Sequence, residues 1–273
     1  MKSTSDRTLP DDLTALESVA RLMEVVGSIA SLPTQLNNLA LFVERRLDHI
    51  LCCIHLADLE TGTLHCGAAP NLPEIYIAAI EGICIGEGVG SCGTAAARRA
   101  LVVVADTSKS TLWQDFQHLV REHDLAACWS TPVLSGSGDL LGTFAMYYRE
   151  PHEPTSTELA TLRVAAPLAA VVIERHRDTQ RLRDSEERFR AAFDSAAIGK
   201  ALVGLDGDWL RVNQALCRLL GYSAEELLRV NFRALTHPDD LCPDLNFVHE
   251  MLDGERLYHE KENRYIHKSG RII

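Results

Sequence analysis

The chain has 273 residues, room for about two domains of ~100–200 residues each. Apolar residues make up 46% and charged residues 24%, the makeup of a globular protein that buries a core. A net charge of −11 argues against a general binder of nucleic-acid phosphates.

Residues 1–10 carry no apolar pattern and are expected to be disordered, with no export signal. Leu13, Leu16, Ala20 and Met23 share one face of a helix predicted over 11–30, which Asp11 and Asp12 can cap. Pro33 ends it, and a second helix fits 34–47. Residues 50–57 alternate as a strand, with Cys52, Ile54 and Leu56 on one side. Thr61-Gly62 turns the chain toward a hairpin partner at 64–68. A short helix within 71–80 leads to a glycine-rich segment from Gly86. A strand over 101–105, a helix over 113–123 and a hairpin of 130–134 with 140–148 follow. The strand over 140–148 is apolar on both faces, which places it centrally under helices.

Thr155 and Glu158 have capping-box spacing and open a helical stretch from about Ser156 to about Phe193. Leu159, Leu162, Ala166, Ala169 and Ile173 give its first half an apolar stripe. After Glu174 it turns highly charged, the pattern of a helical connector or two-stranded coiled coil. The apolar run 164–173 is ten residues long and contains Pro167, whereas a membrane span needs ~20. A cytoplasmic chain is therefore expected. Strands are then predicted over 200–205 and 209–212 across Asp206-Gly207, with a helix over 213–219 ended by Gly221. Ser223 and Glu226 form a second capping box. His237 starts a helix to about Leu252, and strands are expected over 258–267 and from Gly270.

Three blocks in order, GEGVGSCGTAA (86–96), ACWSTPV (127–133) and LGTFAMYYREP (141–151), resemble a GAF domain. The blocks ERFRAAFDSAAIGKALVGLDGDWLRVNQALCRLLGY (187–222), THPDD (236–240) and EKENRYIHKSGR (260–271) resemble a PAS domain. The resemblance implies an α+β fold of two sensor domains, each an antiparallel sheet with flanking helices. GAF would cover 11–175 and PAS 187–273, incomplete at its C-terminus, with a helical linker over 176–190. It also implies an input module of bacterial signal transduction. In such proteins the output is usually a histidine kinase of a two-component system or an enzyme that makes or degrades cyclic-di-GMP. No motif of those enzymes lies within the 273 residues, so the chain itself is expected not to be an enzyme. A homodimer through the N-terminal stripe and the linker is expected, with a small-molecule ligand and an output domain or partner kinase; a stand-alone dimeric adaptor is an alternative function.

Gly88-x-Gly90-x-x-Gly93 has the spacing of a dinucleotide fingerprint but lacks its preceding strand and distant acidic residue. The alternative is a glycine loop entering a helix near Thr94, able to offer N–H groups to an anion. Cys92 stands in that loop, either as a reactive thiol or as a small apolar packing residue. Cys92-Gly-Thr-Ala95 is similar to the setting in GAF enzymes that reduce free methionine sulfoxide, an alternative function. The other two cysteines of that pattern do not align well. Cys92, Trp113, Phe116, Cys128, Trp129, Phe144 and Met146 are candidates for lining a GAF pocket, or else belong to the core.

In the PAS half the candidates are Trp209, Asn213 and His249, the last at a position for a haem ligand. The eight cysteines include no C-x-x-C pair, so reduced thiols are expected and no metal site. No Cys-His pair exists for bilin attachment, and Asn231-Phe232-Arg233 has Phe where covalent flavin sensors need Cys. A lone helical histidine argues little for haem. Haem, bilin and covalent flavin are thus all disfavoured, and the sequence leaves open whether the chain takes any other cofactor or none.

Overall fold

The computed structural model describes residues 30–241, 258, 260 and 262–273. The helix predicted over 11–30, with Leu13, Leu16, Ala20 and Met23, lies outside the described residues, as do His249 and most of the helix expected from His237. The chain divides into two compact units, Met1–Thr179 and Gln180–Ile273.

In the first unit, helix α1 (Leu32–Arg46) begins two residues before the predicted start. Pro33 sits in its first turn, where no backbone N–H is needed, so proline opens this helix. Strands β1 (Ile50–Asp58), β2 (Thr63–Ala68), β3 (Ile83–Cys84), β4 (Val102–Val104), β5 (Ala127–Leu134) and β6 (Leu140–Tyr148) form one sheet. Its order is β3-β2-β1-β6-β5-β4, and every pairing is antiparallel. β5 starts at Ala127, earlier than expected, because Ala127 and Cys128 still pair with Tyr148 and Tyr147 of β6. β6 is central and buried along its whole length. Gly142 makes that position possible, since a Cβ there would overlap the His55 carbonyl oxygen of β1.

Alternation along the strands sends neighbouring side chains into two separate cores. On one face, Leu36, Leu39 and Val43 of α1 pack with Ile54, Trp129, Phe144 and Met146. Helix α5 (Ser156–Asp194) closes that core with Leu162, Ala169 and Ile173. On the other face, α2 (Glu74–Ile80), α3 (Gly90–Arg98), a 3-10 segment (Thr111–Phe116) and α4 (Gln117–Glu122) cover Cys53, Cys128, Ala145 and Tyr147.

α5 is 39 residues long and carries Pro167 inside it. It is long and apolar enough to cross a membrane by length and composition, but here its apolar stripe is built into the core. Its start is held by the predicted box: Glu158 N–H donates to Thr155 Oγ1 (3.3 Å), and Thr155 N–H donates back to Glu158 Oε2 (2.7 Å). Tyr148 OH donates to the same carboxylate at 2.9 Å. Burial works against ionised Glu158, yet hydrogen bonds from Thr155, Tyr148 and His152 hold it below its ordinary range.

The second unit is a hairpin of β7 (Ala201–Val203) and β8 (Trp209–Val212) with helices α6 (Gln214–Leu220), α7 (Ala224–Leu227) and α8 (Phe232–Leu235). Its small core joins Trp209, Val212, Leu216, Leu220, Leu227 and Leu235. β7 is shorter than predicted because the turn takes Gly204 and Gly207, with Gly204 N–H bonded to Asp208 O. The Ser223–Glu226 capping box is formed. In place of the strand expected over 258–267, the described residues there make isolated bridges, Tyr265 to Thr236 and Ile266 to Ile272. The last turn of α5 belongs to this unit: Phe193 is buried, Arg211 lies over Phe189 and Phe193, and it pairs with Asp194 at 2.9 Å.

Candidate functional site

The glycine loop closes on itself. Gly88 N–H donates to Thr94 Oγ1, Gly86 N–H to Gly93 O and Gly93 N–H to Val89 O. Gly88 and Gly90 have φ of 82° and 55°, a left-handed backbone that glycine adopts without strain. A Cβ on Gly93 would stand 2.6 Å from Cys84 O, so α3 lies hard against the preceding strand. Residues Gly90–Ala96 are buried, and these amides serve the protein's own oxygens. The dinucleotide spacing is thus used as a tight turn into α3.

Around α3, Trp113 Nε1–H donates to Ser91 Oγ (3.0 Å), and Ser91 donates to Cys128 O (3.0 Å). This chain ties the 3-10 segment and α3 to β5. Tyr147 OH lies 3.8 Å from Cys92 Sγ. Its ring meets Tyr76 and Trp113 edge-on at 5.7 and 6.4 Å, and Trp113 meets Phe116 at 6.1 Å. The cavity among Tyr76, Cys92, Trp113, Phe116 and Tyr147 holds ≈ 10 Å³, space for about one water. The aromatic side chains fill it.

The expected lining divides between the two faces. Cys92, Trp113 and Phe116 surround this cavity, and Cys128 belongs to the same core. Trp129, Phe144 and Met146 sit in the opposite core with α1 and α5. The reason is the two-residue period: Trp129 must point away from Cys128, and Phe144 and Met146 away from Tyr147. Trp129 stacks there against Tyr148 and His152 at 4.6 and 5.3 Å. A roomier cleft of ≈ 510 Å³ lies beside Asp48, Tyr148, His152 and Glu158 and holds none of the expected residues.

Beneath α3 lies a cluster of thiols around His55, which is fully buried. Cys53 Sγ is 3.5 Å from His55 Nε2, and Thr143 Oγ1 is 3.3 Å from Nδ1. A hydrogen bond from Cys128 holds the Cys92 thiol well below the usual thiol range despite burial, and His55 adds to this. Burial and the bond to Cys92 push Cys128 up. The second pair behaves alike: the bond to Cys66 and burial push Cys53 up, while Cys66 is brought down to about 7. Burial lowers His55, but the neighbouring Cys92 and Cys66 outweigh it and raise it.

In the second unit, Trp209 is a core residue. Asn213 is 1% exposed and its side chain is wholly committed to backbone. Nδ2 donates to Phe193 O (3.1 Å) and Ile198 O (2.9 Å), and Oδ1 accepts from Lys200 N (2.8 Å) and Leu216 N (2.9 Å). It is a structural staple with no capacity left for a ligand.

Residues 31–174 match the family model of the GAF domain, and residues 210–273 match that of the PAS fold. The chain is 35% identical over 256 residues to the methyl sulfide methyltransferase-associated sensor of Methanosarcina acetivorans, covering 93% of the chain and 25% of that protein. It is 36% identical over 141 residues to the probable diguanylate cyclase DgcE of Escherichia coli, covering 52% of the chain and 13% of that protein. The chain thus spans a quarter or less of the length of these curated relatives. Among solved structures, the GAF domain of a phosphoenolpyruvate-protein phosphotransferase from Coxiella burnetii superposes with a TM-score of 0.52 at 19% identity. It covers 62% of this chain and 98% of that one, a likeness of fold.

Proposed function

Since the chain belongs to the GAF domain family and carries a PAS fold after it, we propose that it is the sensory part of a larger cytoplasmic signalling protein. The GAF unit receives a small ligand or a redox change, α5 relays it, and an output domain elsewhere in the protein responds. A histidine kinase or a cyclic-di-GMP enzyme fits that output, in keeping with relatives named as a sensor and a diguanylate cyclase. A homodimer through α5 and the N-terminal stripe would bring two output domains together.

The observation that carries the proposal is the continuity of α5. One helix of 39 residues has Leu162–Ile173 in the core of the first unit and, in its last turn, a buried Phe193 under Arg211 of the second. A continuous helix with residues in both units is the kind of shared element that a relay can use. Inserting two or four residues at Gln180 leaves everything downstream about 160° or 40° out of phase, whereas seven residues leave it only about 20° out. In the full-length protein the first two insertions are expected to uncouple output from input and the third to preserve it. Unchanged signalling in all three would refute the relay.

A second function, reduction of methionine sulfoxide at Cys92, draws support from the held-down Cys92 thiol. Against it stands the filled cavity, with Cys92 3% exposed. Turnover of free methionine sulfoxide that disappears on Cys92→Ser would establish it, and no turnover by the wild type would dismiss it.

A further inference from the structure

Leu64 of β2 is fully buried, so alternation turns its neighbours Thr63 and His65 to the opposite face of the strand. The turn after α2 brings a carboxylate to them. Gly82 has a φ of 73°, and its N–H donates to Leu64 O at 3.0 Å, which sets Glu81 beside β2. Glu81 Oε2 accepts the Cys66 N–H at 2.8 Å, and Oε1 lies 2.8 Å from His65 Nδ1. The other ring nitrogen, Nε2, lies 2.9 Å from Thr63 Oγ1. We propose that Thr63 is a nucleophilic hydroxyl that takes up the acyl group of neutral activated esters, with His65 as its base and Glu81 as the residue that positions the base.

Donors and acceptors fix the direction of this chain. An ionised carboxylate only accepts, so His65 Nδ1 carries the proton and donates to Glu81. Nε2 of the neutral ring then accepts, and Thr63 Oγ1–H donates to it. Thr61 Oγ1 stands 2.6 Å from Thr63 Oγ1 and, with the Thr63 hydrogen committed, is the donor of that pair. One lone pair of Thr63 Oγ1 is left to attack. Burial works against ionised Glu81, yet the bonds from Cys66 and His65 hold it below its ordinary range. A hydroxyl within about 2.6–3.2 Å of a base that a third group orients is the arrangement that activates a nucleophile. The corner is open to a substrate, since the His65 and Glu81 side chains are 44% and 46% exposed. Asp58 pairs with Thr63 across the β1–β2 ladder, and Glu60 follows it in the turn. With Glu81 these carboxylates repel anionic acyl donors and leave neutral esters unopposed.

In the reaction Thr63 Oγ1 attacks the ester carbonyl carbon, and its proton passes to His65 Nε2. The bond from that carbon to the alcohol oxygen breaks, and the departing oxygen takes the proton from Nε2. The acyl group stays on Oγ1, the alcohol leaves neutral, and no electrons change hands. While the ring is cationic, ionised Glu81 at Nδ1 stabilises it. Cys84 is exposed and stands across the β2–β3 ladder from Thr63, so it is the competing nucleophile.

This activity is independent of the sensory role proposed above. The test treats the full chain with para-nitrophenyl acetate, follows nitrophenolate release, and maps acetylated peptides after a neutral hydroxylamine wash that strips thioesters. Melting curves set the assay temperature below the transition of every variant. Acetyl should be found on Thr63. Thr63→Val should lose it, Thr63→Ser should keep it, and His65→Ala should slow its uptake about a hundredfold, the scale of general-base catalysis. Glu81→Ala should slow uptake by less, and Glu81→Gln, whose carbonyl still accepts from Nδ1, should recover part of that loss. Acetyl on cysteine or lysine alone, or equal labelling of Thr63 in His65→Ala, would overturn the proposal. Neither result bears on the relay, which the Gln180 insertions test.

Discussion

Asn213→Ala removes one side chain that holds together the end of α5, the loop before β7 and the start of α6. Loss of the cap on α6 costs about 1 kcal/mol. The Lys200 N–H and the Phe193 carbonyl lose their Asn213 partner inside a closed turn, for about 1 kcal/mol each at the low end of the usual range. The sum is about 3 kcal/mol, roughly a hundredfold in the opening equilibrium of the unit. Hydrogen-exchange mass spectrometry reads this directly. Amides of β8 and α6 should exchange roughly a hundredfold faster in the variant, while β1 and β6 of the first unit keep wild-type protection. Exchange of the α6 amides within about threefold of wild type would mean that Asn213 is replaceable by water, and the accounting would be wrong.

Trp113→Ala should cost the first unit about 3–5 kcal/mol and leave a cavity beside Cys92. Added indole should then raise its melting temperature, and no such rescue would mean that the site collapses. Glu158 is held below its ordinary 4.5, so its stabilisation is present above about pH 4.5 and is lost as pH falls through the depressed folded value. Glu158→Gln should therefore flatten the acid limb of a stability-versus-pH curve; an unchanged limb would place the acid sensitivity elsewhere. Arg211→Lys keeps a charge for Asp194 but loses the planar contact with Phe189 and Phe193, and should lower the second unit's urea stability by about 1 kcal/mol. An unaltered midpoint would mean that the stacking contributes nothing.

The sheet was legible where burial leaves a plain pattern. β6 has apolar residues on both faces and proved central, and the capping boxes at Thr155 and Ser223 stand where their spacing put them. The candidate site was legible only in part. Cys92, Trp113 and Phe116 meet, but Trp129, Phe144 and Met146 were grouped with them by size when alternation sends them to the other face. Tyr76 was missed because a short helix far away in sequence delivers it. His55 was missed although a signal existed: it follows Cys53 by two along a strand whose remaining face is apolar. Which thiols meet depends on register and on where α3 lands, and pairwise geometry of that kind leaves no periodic trace.

Tyr147 and Tyr148 are consecutive, yet one ring borders the cavity by Cys92 and the other grips the carboxylate at the head of α5. A single peptide unit thus separates the cavity side of the sheet from the side on which α5 packs. If the proposed relay couples these two sides, linkage makes it reciprocal: whatever biases α5 changes, by the same free energy, what the cavity side accepts. A GAF unit cut free of its downstream partners is therefore expected to show a different affinity, or a different thiol reactivity, from the same unit in the intact protein.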